Sequence, residues 1–145
     1  MSINEFMSHK HRECDDVFSQ AENFVAEGKW DEAYKAWQEF HHELDEHLTM
    51  EETVLFPRFE EATGMTQGPT SVMRMEHVQM REMCDKLSSA ALAKDQDQFL
   101  GLSETLMILM QQHNMKEEQV LYPMTDRVLG DSGSIIQAME NHGNQ

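Results

Sequence analysis

Two eleven-residue stretches of the chain, HLTMEETVLFP at 47–57 and HNMKEEQVLYP at 113–123, are versions of one pattern set 66 residues apart. Sliding the chain by that distance also places His11 on His77, Met7 on Met73 and Asp31 on Asp97. A repeat in one register over so many positions means two copies of one structural unit, paired about a pseudo-two-fold axis. Each unit must place a histidine and a glutamate four residues apart, followed by an apolar-aromatic-proline close.

The spacing of apolar residues says what the unit is. From about Ile3 to Glu27, Met7, His11, Cys14, Phe18, Ala21 and Val25 recur at steps of three and four, which is one face of a helix. Gly28 interrupts this run and Asp31 is placed to cap the next. A second run passes through Tyr34, Trp37, Phe40, Leu44, His47, Glu51 and Leu55 until Pro57 is expected to end it. Residues 62–69, with Gly64, Gly68 and Pro69, read as a loop. A third run, about Thr70 to Ala93, carries Met73, His77, Met80, Cys84, Leu87 and Ala91. Asp97 offers a cap to a fourth run, Leu100, Ser103, Leu106, Met110, His113, Glu117 and Leu121, closed by Pro123. A short helix at Ser134–Glu140 and a polar end follow. No segment alternates with period two. The expectation is an all-α, up-down-up-down four-helix bundle over residues 1–130, with a short C-terminal helix or tail over 131–145.

Charge and composition exclude several roles. The 145 residues hold 11 Lys and Arg against 27 Asp and Glu, a formal net charge of −16. Such a surface repels phosphate, so nucleic acid is not an expected partner, nor is an anionic membrane surface. No apolar run reaches the ~18 residues that a spanning helix needs, and the N-terminus lacks the layout of a secretory signal. Two cysteines, Cys14 and Cys84, form neither a CxxC pair nor a disulfide framework. They read as buried packing groups in a protein of the reducing cytoplasm.

The chemistry lies on the apolar faces. His47 with Glu51, and His113 with Glu117, each sit one turn apart on the stripe that faces the core. His11 and His77 occupy the equivalent stripes of the other two helices. An ionised carboxylate aimed at a core is costly unless it is paired or coordinates a metal. Four imidazoles and two carboxylates directed inward at matching heights therefore specify a metal site. Six nitrogen and oxygen donors without a thiolate exceed one tetrahedral zinc; shared carboxylates suit a pair of irons, with manganese the nearest competitor. Two positions per metal would stay free, one for a shared oxo or hydroxo group and one open to a small ligand. Glu43, Glu46, Glu52 and Glu118 read as solvated. The methionine stripe, Met73, Met80, Met83 and Met110, reads as core filling.

These motifs resemble the hemerythrin-like family of HHE cation-binding domains, over about residues 5–128. The resemblance implies a four-helix bundle with metal ligands His11, His47, Glu51, His77, His113 and Glu117. It implies two irons under an oxo or hydroxo bridge, and O2, NO or peroxide as ligand, with an electron donor as a further partner and peroxide decomposition as the enzymatic version. Iron storage or donation, and oxygen or redox sensing without catalysis, are the alternatives. Oxygen-carrying hemerythrins have a second histidine four residues after the first in the third helix, where this chain has Arg81. Their last helix has its acidic ligand five residues after its histidine, whereas here Glu117 follows at four and Glu118 at five. The pattern is closer to an H, HxxxE, H, HxxxE subgroup, which points away from simple reversible oxygen carriage. A ferritin-like site would need two Glu-x-x-His motifs, and only Glu39 and His42 have that spacing. His9 and His11 both stand in the first helix, about 200° apart; the repeat register and the Cys14–Phe18–Ala21 stripe choose His11. His42, Arg81 and Tyr122 are read as supporting groups around the ligands.

Overall fold

The computed structural model describes residues 1–143. Within them all regular secondary structure is helical. The helices are α1 (Ile3–Ala26), α2 (Trp30–Met50), α3 (Phe56–Thr63), α4 (Pro69–Leu92), α5 (Gln96–Lys116), α6 (Tyr122–Leu129) and α7 (Ser132–Gly143). Two single π-turns, Glu51–Leu55 and Glu117–Leu121, join α2 to α3 and α5 to α6. There is no strand among the described residues, and no helix among them is long and apolar enough to cross a membrane. α1 packs along α2, α4 along α5, and the two hairpins close through α1 against α5 and α2 against α4. The result is the expected all-α bundle. Of the C-terminal extension read at 131–145, α7 is longer than the short helix expected there, and residues 144 and 145 lie outside the described residues.

The two prolines act differently from the expectation that they would end their helices. Pro57 and Pro123 lie in the first turn of α3 and α6, each directly after a π-turn. A proline inside a helix lacks its N–H, and its ring collides with the carbonyl four residues back. One inserted residue widens the turn and relieves that collision. The Phe56 N–H reaches the Glu51 carbonyl, and the Tyr122 N–H reaches the Glu117 carbonyl, both five-residue steps. Helical chain therefore runs on through residues 30–63 and 96–129. Gly64 ends α3 in the left-handed conformation at φ 71°, the region glycine enters without strain.

Capping also departs from the expected residues. Asp95, two residues before Asp97, accepts the Gln98 N–H at 3.1 Å and caps α5; Asp97 lies in the first turn. Lys29 precedes α2 without a side-chain cap, and Asp31 sits in the first turn, where its charge favours the positive end of the helix dipole. α1 is capped twice. Ser2 accepts the Glu5 N–H at 3.0 Å, and Asp126 on α6 accepts the N–H groups of Ile3 and Asn4 at 2.8 and 3.2 Å.

The buried apolar residues form two clusters. One holds Phe18, Trp37, Phe40, Leu87, Phe99 and Leu106; Phe18 and Phe40 rings lie 4.7 Å apart, and Trp37 Nε1–H donates to Ser88 at 2.9 Å. The other holds Met7, Leu55, Phe56, Phe59, Tyr122 and Met139 at the end covered by α3, α6 and α7. On every long helix the histidine falls between them: His11 between Met7 and Cys14, His77 between Met73 and Met80, with His47 and His113 likewise placed.

Candidate metal centre

All six residues expected as ligands are brought together in the layer between the two apolar clusters, and all are buried. Glu51 and Glu117 are both 0% exposed. His77 Nε2 stands 3.2 Å from Glu51 Oε1, and His113 Nε2 stands 3.2 Å from Glu117 Oε1. His11 Nε2 approaches the same Glu117 oxygen at 3.2 Å, and His47 Nε2 lies 3.5 Å from Glu51 Oε1. His9, the competing residue on α1, is exposed and pairs with Glu13 on the surface. The donor atoms form two overlapping groups. Glu51, His77, His113 and Glu117 make one, and His11, His47 and Glu117 make the other.

Most of these atoms face one another without a hydrogen bond. His47 Nδ1 and Nε2, Glu51 Oε1, His77 Nε2, His113 Nε2 and both Glu117 oxygens are buried and unpartnered among the described residues. Buried polar atoms are nearly always paired, since each orphan costs roughly 1–3 kcal/mol. Apart from His47 Nδ1 these orphans converge, and nitrogen and carboxylate oxygen are what a hard or borderline cation needs as donors. The residues present fit a bound metal.

The arrangement agrees with a comparison of the whole sequence. The family model described as Hemerythrin HHE cation binding domain matches residues 2–125. The chain belongs to this family. Among curated hemerythrin-like relatives it is similar to the iron-sulfur cluster repair protein YtfE of Edwardsiella ictaluri, at 34% identity over 61% of this chain and 43% of that protein. The same-named protein of Salmonella schwarzengrund is 31% identical over 57% of this chain and 42% of its own length. An uncharacterized hemerythrin-like protein of Schizosaccharomyces pombe is 29% identical over 83% of this chain and 59% of its own. The chain thus spans about half the length of the curated relatives it matches. No solved structure gives a significant match.

Around the hemerythrin-type cluster stands a ring of carboxylates whose role the sequence did not reveal. Glu118 Oε2 lies 2.9 Å from His11 Nδ1, Glu52 Oε2 lies 2.8 Å from His77 Nδ1, and Glu76 Oε1 lies 2.8 Å from His113 Nδ1. Each takes the Nδ1–H of its imidazole, which leaves the Nε2 lone pair aimed at the centre. Glu52 and Glu118, read above as solvated, are therefore corrected: each directly follows Glu51 or Glu117 within a π-turn and reaches a histidine of another helix. Their recurrence in the repeat was the available signal. Glu76, one residue before His77, carried no such mark.

Arg81 does not touch the cluster. It donates to both oxygens of Glu52, at 2.7 and 3.1 Å, and so holds the carboxylate that holds His77. Tyr122 reaches further in, donating to Glu51 Oε2 at 2.8 Å with its hydroxyl 3.1 Å from His11 Nε2. Its repeat partner Phe56 instead stacks on His77, with ring centroids 5.5 Å apart. His42, offered as a supporting group, lies on the surface and pairs with Glu46 at 3.0 Å, because its position falls off the buried stripe of α2.

The cluster shifts its own ionisations. Burial, and then the charge of Glu117, holds the Glu51 carboxyl well above the usual carboxylate range. Burial acts on Glu117 too, but the His113 charge and the close approach of Glu51, His11 and His113 outweigh it and take that carboxyl well below the range. Burial and the charge of His11 push His47 well down. Burial and the charge of His113 lower His77 to about 4. His11 is raised, since Glu117 and Glu118 outweigh its burial, and His113 is raised by Glu117 and Glu76 in the same way. After chelation, His77 is therefore expected to stay neutral well below 6.5, the usual imidazole value, down to about 4. Its neutral form contributes stability that is complete above the free-imidazole range and is lost as pH falls through the lowered value. Histidine-ring NMR checks this, and a His77 ring titrating near 6.5 contradicts it.

Proposed function

We propose that this chain is a non-haem di-iron protein that binds O2, NO or peroxide between its helices, in the cytoplasm. The observation that carries the reading is the donor set itself: four imidazoles and two carboxylates in two groups that share Glu117. His77 and His113 with Glu51 and Glu117 would hold one ion; His11 and His47 with Glu117 would hold the second. Iron bound there would supply a one-electron couple at which a small ligand could react.

The protein's own residues prepare that chemistry. Glu118, Glu52 and Glu76 fix three imidazole tautomers and orient the rings. The Tyr122 hydroxyl holds a proton on Glu51 Oε2 at 2.8 Å, where a charge change at the carboxylate would be felt first. The apolar clusters on either side exclude bulk water, which strengthens every polar interaction in the layer. With Arg81 in place of a fifth imidazole, the site would leave positions on its ions open to small ligands, which favours peroxide or NO chemistry over oxygen transport.

A second reading is iron supply, favoured by the likeness to proteins named for iron-sulfur cluster repair. Anaerobic loading with Fe2+, metal analysis, and then separate exposure to O2, NO and peroxide distinguish the two. About two irons per chain and an optical change with at least one ligand are expected. A single zinc per chain, or no metal, overturns both readings. An iron-loaded protein inert to all three ligands that passes iron to an apo acceptor establishes the second.

A further inference from the structure

The repeat that organises the cluster breaks at one residue. His11 and His77 are equivalent in the 66-residue register, and so are Glu118 and Glu52, the carboxylates on their Nδ1 atoms. His47 and His113 are equivalent too. Glu76 holds His113, but the position that corresponds to Glu76 is Lys10. His47, only 6% exposed, is consequently the one imidazole of the four with no partner on Nδ1 among the described residues.

The same ring borders two cavities. A vestibule of about 340 Å³ opens among α1, α2 and α7, edged by Glu13, Glu43, Glu46 and Glu140 as well as Lys10. A far smaller inner cavity of about 10 Å³ lies against His11 and His113. His47 and Cys14 line both, so these two side chains stand between the vestibule and the inner cavity. The donor groups are unequal in the same sense: the group containing His47 has three members and the other has four.

We propose that the two metal positions are unequal, and that the His11–His47 position exchanges Fe2+ through the acidic vestibule, with His47 as the ligand that turns aside. This rests on the di-iron reading above. A carboxylate behind a ligating imidazole fixes the ring and raises its basicity, and loss of such a partner costs about 10–100-fold in metal affinity. His47 lacks that restraint and stands at the mouth. The carboxylates around the vestibule concentrate cations there, while α7 and Met139 cover its apolar side. The position held by His77 and His113 has both Nδ1 atoms fixed, and neither of these histidines lines the vestibule.

The test loads the full chain with Fe2+ under anaerobic conditions, adds a ferrous chelator and follows release. Two phases of equal size are expected, the faster at least about 10-fold quicker than the slower. Lys10→Glu supplies the missing carboxylate from a side chain that is 41% exposed, and should slow the fast phase about 10–100-fold while leaving the slow one alone. Glu76→Gln should move the slow phase toward the fast one. His47→Ala should retain about one iron, released slowly. Two bound irons leaving in a single phase, or a fast phase indifferent to Lys10→Glu with a slow phase indifferent to Glu76→Gln, overturns the inference and leaves the di-iron reading intact. Failure to bind iron at all overturns both.

Discussion

Chelating the metal from the purified protein is expected to lower its melting temperature by about 10 °C or more. The reason lies in what the cluster leaves behind. Two carboxylates and four imidazoles stay buried, with seven of their polar atoms unpartnered among the described residues. Metal binding is linked to folding, because the unfolded chain offers no preformed site. A metal present at ~1,000 times its dissociation constant contributes about 4 kcal/mol. In a domain of this size each kcal/mol moves the melting point by roughly 2–4 °C. Differential scanning calorimetry before chelation, after it and after reloading measures the difference. Equal melting points in all three would show that the layer is stable without a cation, and the metal reading would fall.

The second large effect is expected at Glu117. Its Oε1 stands 3.2 Å from both His11 Nε2 and His113 Nε2, and the residue belongs to both donor groups. Glu117→Ala should therefore reduce bound metal from about two ions to fewer than one, whereas His11→Ala should spare the ion held by His77 and His113. Metal analysis after exhaustive desalting reads the result. Folding need not suffer in step. Removing a buried charge can offset the lost packing, so circular dichroism should show a helical apo-protein. A Glu117→Ala variant that keeps two ions would remove this carboxylate from the centre of the site.

Much of this was legible because helices declare themselves by period. Stripes such as Cys14–Phe18–Ala21–Val25 located the long helices, and a register shared by His11, His47, His77 and His113 placed four imidazoles at one height. What stayed hidden depends on contacts between distant parts of the chain. Pro57 and Pro123 looked like terminators, since nothing local shows that a π-turn will absorb the extra residue and let the helix continue. Glu52 and Glu118 looked solvated because each sits one step off the buried stripe; their partners are 25 and 107 residues away. Asp126 closes the start of α1 from 123 residues downstream. A period of 3.6 describes the face a helix buries and is silent about what reaches across from its neighbours.

The placement of the polar layer between two separate apolar clusters bears on how the molecule comes apart. The clusters are joined by continuous helices, but their side chains form no common core. A cation that ties four helices at that level acts as a rivet between two halves of the bundle. With it in place, the ends should open together, in one cooperative event. Once it is withdrawn, the end bearing α3, α6 and α7 is free to breathe while the Trp37 end stays closed, and amide exchange should spread inward from one side of the rivet only.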